Sequence, residues 1–146
     1  MGNKTYKGRI ESLKENEIFV FGSNTQGRHG KGAAKIAKEK FGAIYGQPSG
    51  LQGQSYAIIT KDLTKQVHPS VDYVWIRGQI FKLYLFAEQN KQLVFYIAYS
   101  GTESNLNGYS NKQMAHMFAL KDMEIPSNII FEEEFYKLIE EDGKDS

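Results

Sequence analysis

The chain has 146 residues, 40% hydrophobic and 13% aromatic, with 18 basic against 17 acidic side chains and no cysteine. That length suits a single domain over 1–146, large enough to bury roughly two thirds of its unfolded surface without covalent staples. The missing thiols exclude disulfides, thiol catalysis and thiolate metal sites, and the balanced charge disfavours a duplex nucleic-acid surface, which carries a strong basic excess.

No apolar run approaches the roughly 18 residues that span a bilayer. Met1 to Tyr6 lacks the apolar stretch of a secretion signal, and Tyr6 stands where a myristoylation motif needs Ser or Thr. The expectation is a cytoplasmic protein with no membrane partner, no metal and no cofactor, its oligomeric state left open. Charge is uneven along the chain: the first forty residues are Lys-rich, whereas Glu132 to Asp145 is acidic. A small anion is the economical guest for the first stretch.

In chain order, the short apolar run Ile18 to Phe21 predicts a buried strand ending at Gly22. Helical spacing follows, with Ala33, Ile36, Ala37 and Phe41 on one face and Lys35, Lys38, Glu39 and Lys40 off it. Strand, Gly-rich loop and helix in that order open a parallel α/β unit. Ala43 to Ser55 is rich in Gly, Gln and Ser and predicts a loop. Tyr56 to Ile59 reads as a short strand. A long helix comes next, with Ser70 as its cap and Ile76, Ile80, Leu83, Tyr84 and Ala87 as its core stripe. Leu93 to Ala98 is another strand, and Tyr99 to Gly108 a second polar loop. Ser110 and Gln113 have the spacing of a capping box ahead of Met114, Met117 and Phe118. Ile129 and Ile130 predict a last strand, and Phe131, Phe135, Leu138 and Ile139 recur at helical spacing. Strands alternating with helices predict a mostly parallel sheet covered on both faces, with ligands beyond the carboxyl ends of its strands.

Both polar loops fall at those ends. In the first, Gly22-Ser-Asn-Thr-Gln-Gly-Arg-His-Gly-Lys-Gly-Ala-Ala34, glycines at 27, 30 and 32 let backbone approach a ligand. A helix starting near Gly32 offers unpaired N–H groups and the positive end of its dipole. Together these make a phosphate or pyrophosphate site, with Asn24 near a sugar hydroxyl and Arg28 or Lys31 adding charge. A P-loop is excluded because Thr25 occupies its first Gly position. A dinucleotide fingerprint is excluded because Lys35 stands at its third Gly. The plainer alternatives are an Asx turn for Asn24 and an exposed loop histidine without a task for His29. His68 and His116 show no metal-ligand spacing with His29. In the second loop, Gly101 and Gly108 offer backbone amides to a second phosphate, and Tyr109 offers a ring to stack on sugar or base. Glu103 is the only carboxylate in either loop, so a general base is to be sought there or at His29. The aromatic-rich stretch Tyr73 to Phe86 reads as core.

The order of these motifs resembles the macro domain, a three-layer α/β/α fold that binds ADP-ribose and related nucleotides. Gly8-Arg-Ile-Glu-Ser-Leu13 is similar to the family's opening turn, although Arg9 stands where an Asp commonly contacts adenine. Ile18 to Ala34 is similar to its ribose- and phosphate-holding loop, Phe95 through Tyr109 to its second phosphate loop, and Asn128 through Ile139 to its closing strand and helix. Phe21 to Asn24 and His29 to Ala34 also match the Phe-Gly-Ser-Asn and His-Gly-x-Gly-Ala-Ala pattern of a divergent phage-associated and bacterial branch. The resemblance implies a mostly parallel mixed sheet and binding of ADP-ribose, a related nucleotide diphosphate or an ADP-ribosylated target. The implied ligand-binding residues are Ile10, Ser23, Asn24, Gly30, Lys31, Gly32, Ala33, Gly101, Thr102, Asn107, Gly108 and Tyr109. Hydrolysis of an ADP-ribosyl linkage would make His29 and Glu103 the first catalytic candidates. The alternatives are a protein-interaction module, such as a phage factor acting on a host protein, that keeps the fold without the nucleotide, and a salt-dependent nucleic-acid-end binder.

Overall fold

Bulky side chains on both faces of one strand organise the molecule. In the computed structural model, which describes residues 3–144, strand β2 (Glu17–Asn24) follows the two-residue strand β1 (Thr5–Tyr6). Ile18 and Val20 of β2 enter one core cluster and Phe19 and Phe21 another, as the alternation of a strand buried on both faces requires. The remaining elements are α1 (Gly32–Lys40), β3 (Gly50–Gln52), β4 (Ser55–Lys61), α2 (Tyr73–Gln89), β5 (Val94–Ile97), α3 (Asn111–Ala119), β6 (Ile129–Glu132) and α4 (Glu133–Lys144).

The strands form one six-stranded sheet in the order β1-β6-β5-β2-β4-β3. Four of its pairings are parallel, and β3 runs antiparallel to β4. Helices α2, α3 and α4 send Ile76, Ile80, Leu83, Met114, Phe118, Phe135 and Ile139 into the cluster that holds Ile18 and Val20. On the opposite face Ala34, Ala37 and Phe41 meet Phe19, Phe21 and Ala57. The protein is therefore a three-layer α/β/α fold around a mostly parallel mixed sheet. No helix among the described residues is long and apolar enough to cross a membrane.

Local chemistry accounts for the helix starts. Asp72, in extended conformation directly before Tyr73, accepts from Val74 N–H at 3.0 Å and caps α2. The expected cap, Ser70, lies too far upstream: buried Val71 intervenes, and the Ser70 hydroxyl instead accepts from Asp62 N–H and meets His68 Nδ1. At α3 the capping box forms reciprocally, Gln113 N–H to Ser110 Oγ at 3.0 Å and Ser110 N–H to Gln113 Oε1 at 2.8 Å. Phe131 belongs to β6 rather than to the closing helix, which begins two residues later at Glu133.

The segment expected to be wholly loop between Ala43 and Ser55 contains β3, and Gln52 within it is buried. Because β3 pairs with β4 only as far as Ala57, the edge of β4 beyond it is open. The side-chain amide of Gln79 fills that gap, accepting from Ile59 N–H at 2.7 Å and donating to the Ile59 carbonyl at 2.8 Å.

Candidate functional site

Parallel pairing puts the carboxyl ends of β1, β2, β4, β5 and β6 on one edge of the sheet. The turn after Tyr6, the loop after Asn24, the loop after Lys61 and the loop after Ile97 therefore share that edge, and α4 starts there. This is the edge at which open α/β sheets hold ligands. The two polar loops singled out by sequence meet on it.

In the first loop Asn24 is used internally. Its Oδ1 accepts from Gln26 N–H at 3.2 Å and Arg28 N–H at 3.0 Å, while Nδ2 donates to the Arg28 carbonyl at 2.8 Å. This is the Asx-type turn that competes with a ribose role. Ser23 is buried, its hydroxyl donating to the Asn24 carbonyl. His29 is only 1% exposed, not an exposed loop histidine. Its Nε2 lies 3.3 Å from Gln52 Oε1, its ring stands edge-on to Phe21 at 5.2 Å, and its Nδ1 is buried without a partner. Gln52 also accepts from Ile44 N–H and donates to the Gln47 and Gly50 carbonyls. His29 thus anchors the loop to the β3 segment below it.

Beyond His29 the chain emerges: Gly30, Lys31 and Gly32 are exposed, and Ala33 packs against the smaller core cluster beside Ile10. Lys31 occupies the N-cap of α1 without a capping side chain, and the first helical turn has no acidic residue. The ladder begins with Lys35 N–H to the Lys31 carbonyl at 3.3 Å, so the amides of Gly32, Ala33 and Ala34 have no partner among the described residues. Nor do Arg28 and Lys31 form ion pairs among the described residues. The other helices differ. Asp72 caps α2, Ser110 caps α3, and the Glu132 carboxylate accepts from Glu134 and Phe135 N–H at the start of α4.

The second loop is built from within. Gly101 N–H donates to Glu132 Oε1 at 2.8 Å, and a Cβ at position 101 would lie 2.5 Å from the Glu134 backbone. The Gly101 amide is thereby spent on Glu132 at the end of β6. Gly108 has φ +86° and touches the His68–Pro69 backbone so closely that a side chain would lie 2.6 Å from it. Asn107, 4% exposed, accepts from Tyr109 N–H, and the Tyr109 hydroxyl donates to the Val71 carbonyl at 2.6 Å. Burial, then the Asp72 charge, raises the Tyr109 hydroxyl above its ordinary range. Thr102 is exposed, its N–H bonded to Ser100 Oγ. Asn105 and Asn111, unremarked in the sequence, tie the loop together: Asn105 donates to the Tyr109 carbonyl and Asn111 Oδ1, and Asn111 donates to the Glu103 carbonyl. A cleft of roughly 570 Å³ runs along the loop, bordered by Thr102, Glu103, Gly108 and Tyr109.

Two contacts join the loops and the opening turn. Leu106 of the second loop stands over the α1 start, its Cδ1 3.4 Å from where a Cβ of Gly32 would lie. Arg9 donates to Glu103 Oε1 at 3.3 Å between largely exposed side chains, so the opening turn and the candidate carboxylate are tied together. Beneath them Tyr99 is buried against Gly22 with Thr60 and Asn107 beside its hydroxyl, and burial pushes that hydroxyl up to about 12. The structure therefore brings Leu106 to Gly32 and Arg9 to Glu103, packs Ile10 and Ala33 against the same core cluster, ties Asn24 into its own loop, and turns the side chains of His29 and Asn107 inward as supports.

Compared with protein-family models, with curated proteins and with solved structures, the chain matches none.

Proposed function

We propose that the carboxyl edge binds ADP-ribose or a related nucleotide diphosphate. The observation that carries this reading is the bare start of α1. The amides of Gly32, Ala33 and Ala34 and the positive dipole end follow directly on Lys31, with no cap, carboxylate or other partner for them among the described residues. One phosphate sits on the Gly32–Ala34 amides, the other against the cleft between Thr102 and Tyr109. Ile10 and Tyr109 wall the sugar and base. Asn24 and His29 serve by fixing the loop shape, and Glu103 is the group to test for hydrolysis of an ADP-ribosyl linkage. Titration calorimetry with ADP-ribose tests this directly. Saturable heat, weakened by Lys31→Ala, is expected, and an absence of heat at millimolar ligand with folded protein removes the reading.

A protein-interaction module that keeps the fold without the nucleotide, such as a phage factor acting on a host protein, is favoured by one observation. Leu106 is 59% exposed and leans on Gly32, an apolar tip presented where an anion would approach. Co-purification of a partner that Leu106→Ser releases, with no nucleotide retained in native mass spectrometry, decides for it.

A further inference from the structure

A second cleft, of roughly 290 Å³, opens where α2, α3 and α4 meet, and no residue of the two polar loops lines it. Inside it His116 Nδ1 and Asp142 Oδ1 lie 2.6 Å apart. The carboxylate fixes the ring orientation, while Nε2 has no hydrogen bond to the described residues and is not sealed from solvent. The Tyr73 ring backs the imidazole at 5.6 Å, and the Arg77 guanidinium lies over Tyr73 at 5.9 Å.

Two side-chain atoms of residues on this cleft, the Tyr73 hydroxyl and Asp142 Oδ2, are closed off from solvent and unpartnered among the described residues, as is Nε of Arg77, whose guanidinium lies over Tyr73. Native folds leave few such atoms, and each asks for an explanation. On the cleft wall α3 supplies Lys112 and α4 supplies Glu141. Neither has an ion pair among the described residues, so they do not neutralise each other. Tyr73 and Leu138 add apolar surface. No group of three or more His, Cys, Asp or Glu among the described residues is placed to hold a metal ion. What complements a free cation, a free carboxylate and an apolar wall is a small zwitterion.

We propose that this cleft is a binding site for a free α-amino acid with an apolar side chain. Its carboxylate meets Lys112, with His116 alongside. Its ammonium meets Glu141, and its side chain lies on Tyr73 and Leu138. The site stands apart from the nucleotide reading and does not depend on it.

The test is nuclear magnetic resonance of the full chain, following the His116 ring while L-leucine is added. Leucinamide, which lacks the carboxylate, and isocaproate, which lacks the ammonium, serve as one-armed controls. L-Leucine is expected to move the His116 resonances saturably in the millimolar range. Each control, and each of the variants Lys112→Ala and Glu141→Gln, is expected to bind about tenfold more weakly, the loss of one charged contact. Both variants change exposed side chains, and an unchanged backbone spectrum verifies their fold. An unmoved His116 ring at saturating leucine, isocaproate binding as tightly as leucine, or both variants binding leucine like the parent would each overturn the proposal.

Discussion

Enclosing a polar side chain costs free energy unless its bonds are kept, so the ones this fold encloses show which contacts its loops depend on. His29 fills space beside Phe21 and keeps one bond, to Gln52, across the base of the first loop. His29→Ala removes a buried ring and is expected to lower stability by about 3 kcal/mol, the scale of emptying an aromatic site. Urea unfolding measures this, and an unchanged midpoint would contradict the anchoring role. Tyr99 supplies a pH test. Its hydroxyl titrates at about 12 in the fold instead of the ordinary 10.0, mainly because burial penalises the phenolate. A raised folded value means the contribution to stability is whole below pH 10 and disappears as pH climbs through 12, because the unfolded chain ionises first. Tyr99→Phe removes that ionisation and should flatten the alkaline fall of stability; equal slopes of the denaturation midpoint against pH in variant and parent would contradict it.

At the scale of elements, what the chain announces depends on periodicity. The stripe of α1, the capping box of α3 and the apolar runs of β2, β4 and β5 follow local patterns, and each forms close to where the pattern puts it. Strand β1 has two residues and β3 lies inside a Gly-rich stretch, so neither carries a period to read; both exist because β6 and β4 offer an edge. Ser70 and Asp72 are equally good caps by type, and burial of Val71 chooses between them. The same limit applies at the site. The bare start of α1 was legible in Gly30-Lys-Gly32, whereas the inward turn of His29 and Asn107 was not, since their partners Gln52 and Met114 come from other segments. Two consequences follow for helices. Lys31→Ser places a capping hydroxyl on a residue already extended (φ −144°, ψ 155°) and should stabilise by about 1 kcal/mol. Under the nucleotide reading it also weakens ADP-ribose binding, so higher stability with lower affinity is the expected pair in thermal unfolding and calorimetry. Gln79→Leu leaves Ile59 N–H and C=O unpaired at the open edge of β4 and should cost about 1–3 kcal/mol, with faster hydrogen exchange at Ile59.

For the whole molecule, the decisive joint is the one that makes sheet, second loop and last helix a single body. Glu132 ends β6 and is buried, yet every bond it accepts serves another segment: Gly101 N–H at 2.8 Å from the second loop, and Glu134 and Phe135 N–H at 3.0 and 3.1 Å from the first turn of α4. A carboxylate there does two things at once, satisfying helix-terminal donors and holding Gly101 close enough to touch the Glu134 backbone. Glu132→Gln is nearly the same shape but turns one acceptor into a donor facing amide protons. It should therefore lower stability by about 1–3 kcal/mol, with Glu132→Ala lower still. The loss has a spatial signature: hydrogen exchange should accelerate at Gly101, Glu134 and Phe135 together, while amides of α1 on the opposite face keep their protection relative to the global limit. If Gly101 exchanges at its original rate in Glu132→Gln, the second loop is held by its own asparagines alone, and its position over Gly32 is independent of α4.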